Sequence, residues 1–533
     1  MANTASDIPA QARDASPVLI LIPQGLTLTG VNTWAIDLAR GLASRGRTVG
    51  LAIHGGAPGH TEMPLEPIPG VHIARAASLP IEDRGGDIEP VRAFYERVAW
   101  DLGATPSRPA VVIPTRHGDC FAAAAALTAD PAHRLVLWQH VDDAYERAAI
   151  DRYATRASAF AGVSAFLAAD LARRHPASAD RTVRVPNPAH APSDCPALCP
   201  TPSDADTVEL LYAGRLEHRQ KRVRALLHMS GALASVGFRH RLTLAGDGVA
   251  VPELRAAAPA SPDRIRVLPP VDASAMPGLY ASAHAVLLAS RTEGLSCAVL
   301  ESMAAARCPI ITRTRSGADE LIEDGVSGLL VGHDERDQAD LQGLGRRIAD
   351  AVRAGAQIGF DTLGQRAWAR ARERFTAREQ LDAAEHLLTL AERAPALDLT
   401  SPIAAFSIAQ GSVASGSVPS HGLERLLGAL AGLPAGGVAL HGAGQHTRQL
   451  LPRVLEAGYE IAGITDDDPS AWGGSIAGIP IVSPRALVDL GVVHVVISSW
   501  LHEGEIAGAW AQRRSEGLTI HRLYAEAIER IAS

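Results

Sequence analysis

Short apolar runs, glycine-containing breaks and segments with helical spacing follow one another along the first part of the chain. The run PVLILIP is followed by the break QGLTLTG and then by VNTWAIDLARGLASRG, in which apolar residues recur at helical spacing. A second apolar run, TVGLAIH, follows directly. The order strand, glycine loop, helix, strand predicts a βαβ unit, which implies a parallel sheet.

This pattern extends over residues 17–190 and predicts one Rossmann-like domain there. Further strands are predicted at 110–114, 135–140 and 159–163, and they alternate with helices such as DCFAAAAALTA. Proline stands at nearly every third position of 186–206, where it breaks helices and central strands. We interpret this proline-rich segment as an interdomain linker.

The same rhythm restarts over 205–393 and predicts a second Rossmann-like domain. Its apolar runs include VELLYAG, RLTLAGDG, IRVLPPV, HAVLLAS, CPIITRT and GLLVG. A helix is predicted through 221–236, and the stretch from 337 to about 393 has helical spacing. We therefore expect a second α/β domain that ends in trailing helices.

A third unit follows a segment rich in Ser, Gly and Pro. That segment, 394–421, has the composition of a flexible linker. Beyond it, GVALHGAG, EIAGITDDD, IPIVSP and HVVISSW predict strands of a smaller Rossmann-like domain over 422–533. The chain is thus predicted to be an α/β protein of three Rossmann-like units.

Composition narrows the class of protein. With 47% hydrophobic and 20% charged residues, the chain is typical of globular proteins, and its net charge of −8 argues against a nucleic-acid binder. No apolar stretch approaches the ~18 residues of a membrane span, and the first residues lack a secretory signal. Five cysteines at unrelated spacings favour reduced thiols in a cytoplasm, and Cys195 and Cys199 lack the second pair of a zinc site.

Lys221 is the only lysine in a chain with 50 basic residues. It follows a predicted strand and Gly214, at a place where open α/β sheets bind phosphate near a helix amino terminus. Arginine grips phosphate through a planar fork and lysine offers a compact charge, so Arg215 and Lys221 can brace a diphosphate from two sides. The alternative is a solvated lysine at the start of a helix.

Two glutamates eight residues apart, Glu293 and Glu301, follow the strand HAVLLAS. The first lies in the predicted turn and the second inside the next helix, so both can face the cleft above the sheet. A carboxylate accepts hydrogen bonds from pairs of neighbouring hydroxyls, such as those of a ribose or a hexose. Taken alone, acidic residues near a helix start also serve as caps or complement the helix dipole.

These features occur together with the motifs TEGLSCAVLESMA and DELIEDGVSGLLV, and with Ser316-Gly317 and Glu320. In this combination the chain resembles the retaining glycosyltransferases of the GT-B fold, in the family 4 group with the E-x7-E motif. The resemblance spans residues 17–393, and it implies that 17–190 form the acceptor-side domain and 205–393 the domain that binds the nucleotide-sugar donor. It implies a donor that is a UDP- or GDP-linked sugar, no metal ion or other cofactor, and a glycan, lipid-linked or protein acceptor.

The resemblance also implies catalytic residues. Arg215 and Lys221 match the basic pair that stabilises the departing diphosphate, Glu293 matches the glutamate near the donor sugar, and His140 matches a histidine close to the transferred sugar. The usual His-Asp pair is His-Val-Asp-Asp here, which leaves the roles of Asp142 and Asp143 undecided.

A second group of residues matches positions that bind the donor. Glu301 matches the ribose-binding glutamate, and Gly30 matches the amino-terminal glycine loop, although the usual second glycine is Thr29. Asn187 matches an asparagine that glycine often follows, but Pro188 follows it here. The full donor-binding set is Gly30, Gly246, Asp247, Gly248, Leu295, Ser296 and Glu301. His117 and Asp119 end a strand of the first domain and are candidates for facing the acceptor.

The third unit carries a partial dinucleotide fingerprint. Gly442 and Gly444 form a G-x-G turn after a strand, but Thr447 replaces the third glycine. Acidic residues arrive at 466–468, near the expected distance. The fingerprint for NAD is therefore only partial. Through GYEIAGITDDDP and GIPIVSP, the segment also resembles the small Rossmann-like domains fused to sugar O-acetyltransferases and some methyltransferases. This resemblance implies an accessory role in binding or assembly, or a scaffold.

Two other functions fit the same fold. A nucleotide-sugar epimerase would need no acceptor site, and a nucleotide-sugar-binding protein would need no turnover. The sequence leaves open the donor base, the sugar and the acceptor. It leaves open peripheral membrane contact and assembly into a homo-oligomer as well.

Overall fold

The computed structural model describes residues 15–395 and 422–523, with gaps at 24, 27–28, 56–64, 77–87, 116–117, 129–132, 201–202, 204–205, 259–263, 333–339, 432, 434–436, 444, 468–470, 488, 499–505, 507–509 and 511–517. Nearly all of the predicted connector over 394–421 lies outside these residues. The described residues form three sheets, and all neighbouring strands are parallel except one terminal pair in the third.

The first sheet has seven strands in the order β3-β2-β1-β4-β5-β6-β7. The strands are β1 (Val18–Pro23), β2 (Val49–His54), β3 (Val71–Ala76), β4 (Val111–Pro114), β5 (Arg134–Gln139), β6 (Ala157–Gly162) and β7 (Thr182–Arg184). The helices are α1 (Gly30–Ser44), α2 (Glu89–Asp101), α3 (Gly118–Ala126), α4 (Ala144–Tyr153) and α5 (Ala165–Arg174). β1 and β2 are buried throughout, as expected when helices cover both faces of a parallel sheet.

The second sheet has six strands in the order β10-β9-β8-β11-β12-β13. The strands are β8 (Val208–Ala213), β9 (His240–Ala245), β10 (Ile265–Leu268), β11 (Ala285–Leu288), β12 (Cys308–Thr312) and β13 (Leu329–Val331). The helices are α6 (Arg224–Ser235), α7 (Val251–Ala257), α8 (Met276–Ala281), α9 (Cys297–Ala304), α10 (Ala318–Leu321), α11 (Leu341–Ile358), α12 (Phe360–Arg374) and α13 (Ala377–Arg393). This is the doubly wound order of a Rossmann fold, and it reverses between β8 and β11.

The third sheet has the order β16-β17-β15-β14-β18-β19. Its elements are α14 (Gly422–Ala431), β14 (Val438–His441), α15 (Gln445–Glu456), β15 (Gly463–Thr465), β16 (Ser475–Ile476), β17 (Ile479–Val482), β18 (His494–Ile497) and β19 (Thr519–Arg522). Two separate apolar clusters lie on its two faces. The predicted α/β class with three Rossmann-like units is confirmed.

One predicted helix boundary is wrong. The helix expected through 221–236 begins at Arg224, because the backbone of Arg222 has a positive φ of 48° that no helix contains. Lys221 therefore lies in the loop before the helix, not on it. That loop follows the carboxyl end of β8.

The carboxyl ends of the first two sheets meet. Val141, just after β5, pairs with Gly294 in an isolated β-bridge, and the Ser164 and Ser316 hydroxyls lie 2.8 Å apart. Helix α13 crosses from the second domain to pack against β6 and α1 of the first. The two domains thus enclose a cleft between their sheet edges, where ligands of open α/β folds bind. In the described part of the chain no helix is both long and apolar enough to cross a membrane.

Candidate functional site

The loop that carries Lys221 is organised by one carboxylate. Glu217 accepts hydrogen bonds from the backbone amides of Arg219 at 2.8 Å, Gln220 at 3.0 Å and Lys221 at 2.6 Å. Three converging amides around one carboxylate fix the backbone of a loop that has no regular secondary structure. The backbone of Lys221 is therefore held in place at the carboxyl end of β8.

Arg222 fastens the same loop to the neighbouring strand. Its side chain is buried, and its guanidinium donates to the carbonyls of Ala289 at 2.8 Å and Ser290 at 2.9 Å, just beyond β11. The donated bonds satisfy a charge that would otherwise be costly to bury. Arg222 thereby joins the loop after β8 to the loop after β11, which carries Glu293.

The predicted catalytic side chains of the second domain meet at this junction. Lys221 Nζ lies 2.5 Å from Glu293 Oε1. Gln220 accepts from Arg215 Nη2 at 2.7 Å and donates through its own amide to the Thr292 carbonyl at 3.0 Å. Gln220 thus connects Arg215 to the backbone of Thr292, the residue before Glu293, and the structure brings Arg215, Lys221 and Glu293 to one junction.

The residues Gly246, Asp247 and Gly248 support the Arg215 loop from beneath. Both glycines have positive φ, and a Cβ atom on them would lie 2.0 Å from the Gly214 carbonyl oxygen and 2.2 Å from that of Leu216. Asp247 accepts the Gly248 amide at 2.8 Å through its side chain and the Leu216 amide at 2.7 Å through its carbonyl. Only glycine permits this close approach of two backbones.

Leu295 and Ser296 shape the start of α9. Leu295 is buried, and its carbonyl accepts a hydrogen bond of 2.7 Å from the Asn187 side chain. Ser296 is the N-cap residue, and its side chain makes no capping hydrogen bond to the helix. The amino terminus of α9 follows Glu293 by four residues and faces the cleft, which makes it a favourable place for an anion.

Glu301 lies one turn further along α9. The residue as a whole is exposed, but protein surrounds its carboxyl group on most sides. This loss of hydration raises the pKa of Glu301, whereas a hydrogen bond of 2.7 Å from the Tyr280 hydroxyl opposes the increase. The ionisation of the Glu301 carboxyl group therefore depends on its burial and on the hydrogen bond from Tyr280.

The thiol of Cys297, the first residue of α9, lies among the charges of this site. Burial above all, together with the carboxylates of Glu301 and Glu293, raises its pKa to about 12, while Lys221 opposes the increase. A Cβ atom on Gly30 would lie 3.7 Å from this sulfur. Gly30, Lys221, Glu293 and Glu301 are thus arranged around the amino terminus of one helix.

Gly30 is the first residue of α1, and its neighbour explains a departure from the expected motif. Thr29, which replaces the usual second glycine, is the N-cap of α1 and accepts the Asn32 amide at 3.3 Å. The substitution therefore provides a helix cap. The amino termini of α1 and α9 approach each other across the cleft.

His140 also reaches the junction, from the first domain. Its backbone amide and that of Val141 donate to the Glu146 carboxylate at 3.0 and 2.6 Å. A Cβ atom on Gly294 would lie 1.9 Å from the His140 carbonyl oxygen, so the two backbones are in direct contact. His140 is half-buried and lies next to the residue that follows Glu293.

The two aspartates after His140 have structural contacts. Asp143 is the N-cap of α4 and accepts the Glu146 amide at 2.7 Å. Asp142 is buried and pairs with Arg147 at 2.7 Å and with Arg315 of the second domain at 3.0 Å. One aspartate therefore caps a helix and the other bridges the two domains.

Several residues at this site went undetected in the sequence. Glu217, Gln220 and Tyr280 belong to no recognised motif, although Glu217 stands near the lone lysine. His190, in the linker, pairs with Asp37 of α1 at 3.3 Å, and this hydrogen bond raises the pKa of His190. Its positive φ of 48°, uncommon for a residue other than glycine, has no signature in the sequence.

Other predicted residues do not join this cleft or lie outside the described part of the chain. His117 and Gly444 are among the latter, as is the side chain of Asp119. Asp466, just after β15, accepts the Ala443 amide at 2.6 Å and so joins the loop after β15 to the loop after β14. Among the described residues no group of three or more His, Cys, Asp and Glu side chains is placed to hold a metal ion.

Residues 207–346 match the family model described as Glycosyl transferases group 1. Over 124 residues, the chain is 31% identical to alpha-D-kanosaminyltransferase from Streptomyces kanamyceticus, an alignment that covers 23% of this chain and 32% of that enzyme. The chain spans about a third of the length of the curated relatives that it matches. The residues that match the family model, 207–346, include Arg215, Lys221, Glu293 and Glu301.

Solved structures share the arrangement of the first two domains. Sucrose-phosphate synthase from Thermosynechococcus elongatus superposes with a TM-score of 0.56 at 16% identity, covering 71% of this chain and all of that one. Anabaena HepE in complex with UDP gives a TM-score of 0.51 at 18% identity and covers 70% of this chain and 100% of its own. This likeness confirms the GT-B arrangement of the two Rossmann-like domains.

Proposed function

We propose that the protein is a retaining glycosyltransferase of the family 4 type. It would move a sugar from a UDP- or GDP-linked donor to a bacterial glycan, a lipid-linked acceptor or a protein. The observation that carries this proposal is the convergence of Arg215, Lys221 and Glu293 at the amino terminus of α9, with Glu301 one turn along that helix. The match of residues 207–346 to glycosyl transferases supports it.

In this proposal the cationic pair stabilises the leaving group. The bond between the anomeric carbon and the diphosphate oxygen breaks, and negative charge develops on that oxygen. Arg215, Lys221 and the amides of α9 are placed to stabilise it, in the way that fixed donors stabilise charge in a transition state. An ammonium has three donors, so Lys221 can bind a phosphate oxygen while it retains Glu293.

The glutamates and His140 hold the rest of the donor. Glu301 accepts hydrogen bonds from the ribose hydroxyls, and Glu293 with His140 faces the transferred sugar. The acceptor hydroxyl approaches from the first domain, on the face that the diphosphate leaves. It forms the new bond to the anomeric carbon and gives its proton to the departing phosphate, so the configuration is retained. Two basic side chains provide the positive charge, and no metal ion takes part.

The third domain is assigned an accessory role in binding or assembly. It carries its own apolar clusters and sheet, and the aspartates after β15 contact neighbouring backbone and side-chain groups of that domain. We place the reaction in the first two domains. Cytoplasmic location and peripheral contact with a membrane that holds lipid-linked acceptors belong to the same proposal.

A panel of UDP- and GDP-sugars tests the function. Thermal shifts with UDP and GDP identify the nucleotide first, since a ligand stabilises the native state according to its affinity. The full chain is then incubated with each sugar of that nucleotide, in the presence of EDTA. Transfer to an added glycan, or slow release of free sugar with a retained anomeric configuration, is expected. A free epimer of the donor would indicate an epimerase, and binding without turnover a non-catalytic protein.

A further inference from the structure

Three aromatic rings pack together beneath the cleft, at the point where α1 meets β5. The Trp34 and His140 rings are 4.4 Å apart between centroids, in an edge-to-face arrangement at 71°. Trp34 packs in the same manner against Trp138, at 4.6 Å and 65°. The rings of Trp138 and His140 are nearly parallel, with 6° between their planes. One indole thus contacts two other rings at once.

This cluster limits the orientation of the His140 imidazole. The backbone of His140 is already held on both sides, by Glu146 at its amide and by Gly294 at its carbonyl. Only the side-chain torsions remain to be fixed. Edge-to-face contact with Trp34 is directional, because the positive ring edge prefers the negative face of its neighbour.

Trp34 is itself placed by the helix that bears the glycine loop. It lies four residues after Gly30, so the two residues share one face of α1. Gly30 approaches Cys297 of α9, and Trp34 approaches His140. Trp34 is almost completely buried, with 3% of its surface exposed, so α1 cannot shift without moving this indole.

We propose that Trp34 is a positioning residue, whose indole holds the His140 imidazole in the orientation that faces the transferred sugar. The inference rests on the proposed function, because His140 has its role there. Trp34 also links two parts of the site, since a displacement of α1 alters the glycine loop and His140 together. Trp34 itself does not touch the donor in this assignment.

A double-mutant cycle tests the proposal on the full chain. With the donor that the panel identifies, W34L is expected to lower kcat by roughly 10- to 100-fold, the scale of a small misplacement of a reacting group. The KM for the donor should stay within about twofold of wild type, because uniform binding is unaffected. W34F, which keeps an aromatic ring, should retain most of the activity.

His140→Ala provides the second arm of the cycle. If Trp34 acts through His140, W34L causes no further loss in the H140A background. An equal loss in both backgrounds would overturn the positioning role. W100L, at an exposed tryptophan of α2, is the matched control and should behave as wild type. Should W34L fail to fold, W34M takes its place in the cycle, because it also removes the ring and methionine adapts to an irregular gap.

Fluorescence gives a readout that needs no donor. A protonated imidazole quenches an indole in contact with it, so part of the emission of the wild-type protein should change with pH. Trp138 also lies beside His140, and Trp510 contacts His441, so these indoles contribute a pH-dependent part as well. The change with pH should therefore be smaller in W34F and smaller still in H140A, and the part due to Trp510 should remain in both. A change with pH that is equal in H140A and wild type would overturn the contact itself. These outcomes can be told apart from a failure of the proposed function. Undiminished turnover in H140A would refute only the role of His140, whereas an unmodified protein without turnover would refute the transferase proposal as a whole.

Discussion

Lys221 Nζ lies 2.5 Å from Glu293 Oε1, although 72 positions separate the two residues in the chain. Both side chains are largely shielded, with 16% and 13% of their surfaces exposed. Removing one partner of a shielded ion pair leaves an uncompensated charge, so the two residues depend on each other. The pair also places a cation and a carboxylate side by side at the start of α9.

Replacing Lys221 by Ala tests the first consequence. We expect turnover of the donor to fall by at least ~100-fold, the scale of losing one group that stabilises transition-state charge. Arg215→Ala should have an effect of the same order. The measurement is kcat with the donor found in the panel. Wild-type turnover in both variants would refute the proposed mechanism.

Arg219→Ala is the control for this experiment. It removes one exposed positive charge from the same loop, and the backbone amide that bonds to Glu217 remains. A fall in turnover confined to K221A and R215A would assign the effect to those side chains. An equal fall in R219A would instead indicate a general effect of loop charge.

Sequence alone identified the charged groups of this site but not how they are held. Lys221 was conspicuous as the lone lysine, and Glu293 and Glu301 by their spacing. Gln220 and Arg222 have no such signal, because they bind backbone carbonyls in the loop after β11, which only the folded chain brings close. Side chains that bind distant backbone atoms leave no local pattern.

Arg222→Ala should destabilise the protein more than other changes at this loop. The substitution removes two hydrogen bonds that the buried, charged guanidinium donates. Each hydrogen bond to a charged group contributes about 1.5–3 kcal/mol to the free energy of unfolding. We expect a lower midpoint of thermal unfolding and weaker binding of UDP or GDP, because the loop of Lys221 loses its attachment to β11. Calorimetry measures both quantities on the same sample.

The control is Arg313→Ala, in the same domain. Arg313 pairs with the Asp319 side chain at 2.6 Å, and more than half of each side chain is exposed. Surface ion pairs contribute about 0–1 kcal/mol, so R313A should shift the midpoint less than R222A. Equal shifts of the midpoint in the two variants would contradict the role of Arg222 in attaching the loop of Lys221 to the loop after β11.

The edge strand β3 and the exact start of helix α6 were not predicted from the sequence. The central strands β1 and β2 are buried throughout and were evident as apolar runs. The edge strand β3 is half-exposed along its length, so its sequence VHIARA mixes polar and apolar residues. The start of α6 was misplaced by three residues, since helical spacing cannot show the positive φ of Arg222.

The affinity for UDP or GDP should decrease as the pH is lowered, and this decrease should begin at a higher pH than for an ordinary glutamate. A carboxylate must be ionised to accept two ribose hydroxyls, and the pKa of Glu301 is raised above the ordinary value of about 4.3. Affinity is therefore lost as the pH falls through this raised pKa. Titration calorimetry at several pH values locates the acidic limb, which is the range of pH over which affinity is lost. Glu301→Gln should weaken binding and abolish the acidic limb.

Two further variants define the cause. Tyr280→Phe removes the hydroxyl that stabilises the carboxylate, so the pKa of Glu301 should rise and the acidic limb should move to higher pH. Because a raised pKa in the folded state favours the protonated form, the stability that Glu301 contributes is lost as the pH rises through that pKa. E301Q should accordingly be no less stable than wild type at neutral pH. A limb that is unchanged in Y280F would contradict this assignment.

Gly294→Ala tests the contact between the two domains. A Cβ atom there would lie 1.9 Å from the His140 carbonyl oxygen and 2.8 Å from the Val163 side chain, so the first domain must move away. Arg215, Lys221 and Glu301 all belong to the second domain, and thermal stabilisation by UDP or GDP should therefore persist. Transfer should fall by roughly 100-fold, because His140 is displaced from the donor sugar.

Gly231→Ala separates this effect from that of any glycine substitution. Gly231 lies in α6, and no atom stands within 4 Å of a Cβ added there. Alanine in the middle of a helix is favoured over glycine by about 0.5–1 kcal/mol, so G231A should be slightly stabilised and fully active. If G294A kept normal transfer, reaction would not require the contact between His140 and Gly294. If it lost nucleotide binding as well, the second domain would depend on the first for its own binding site.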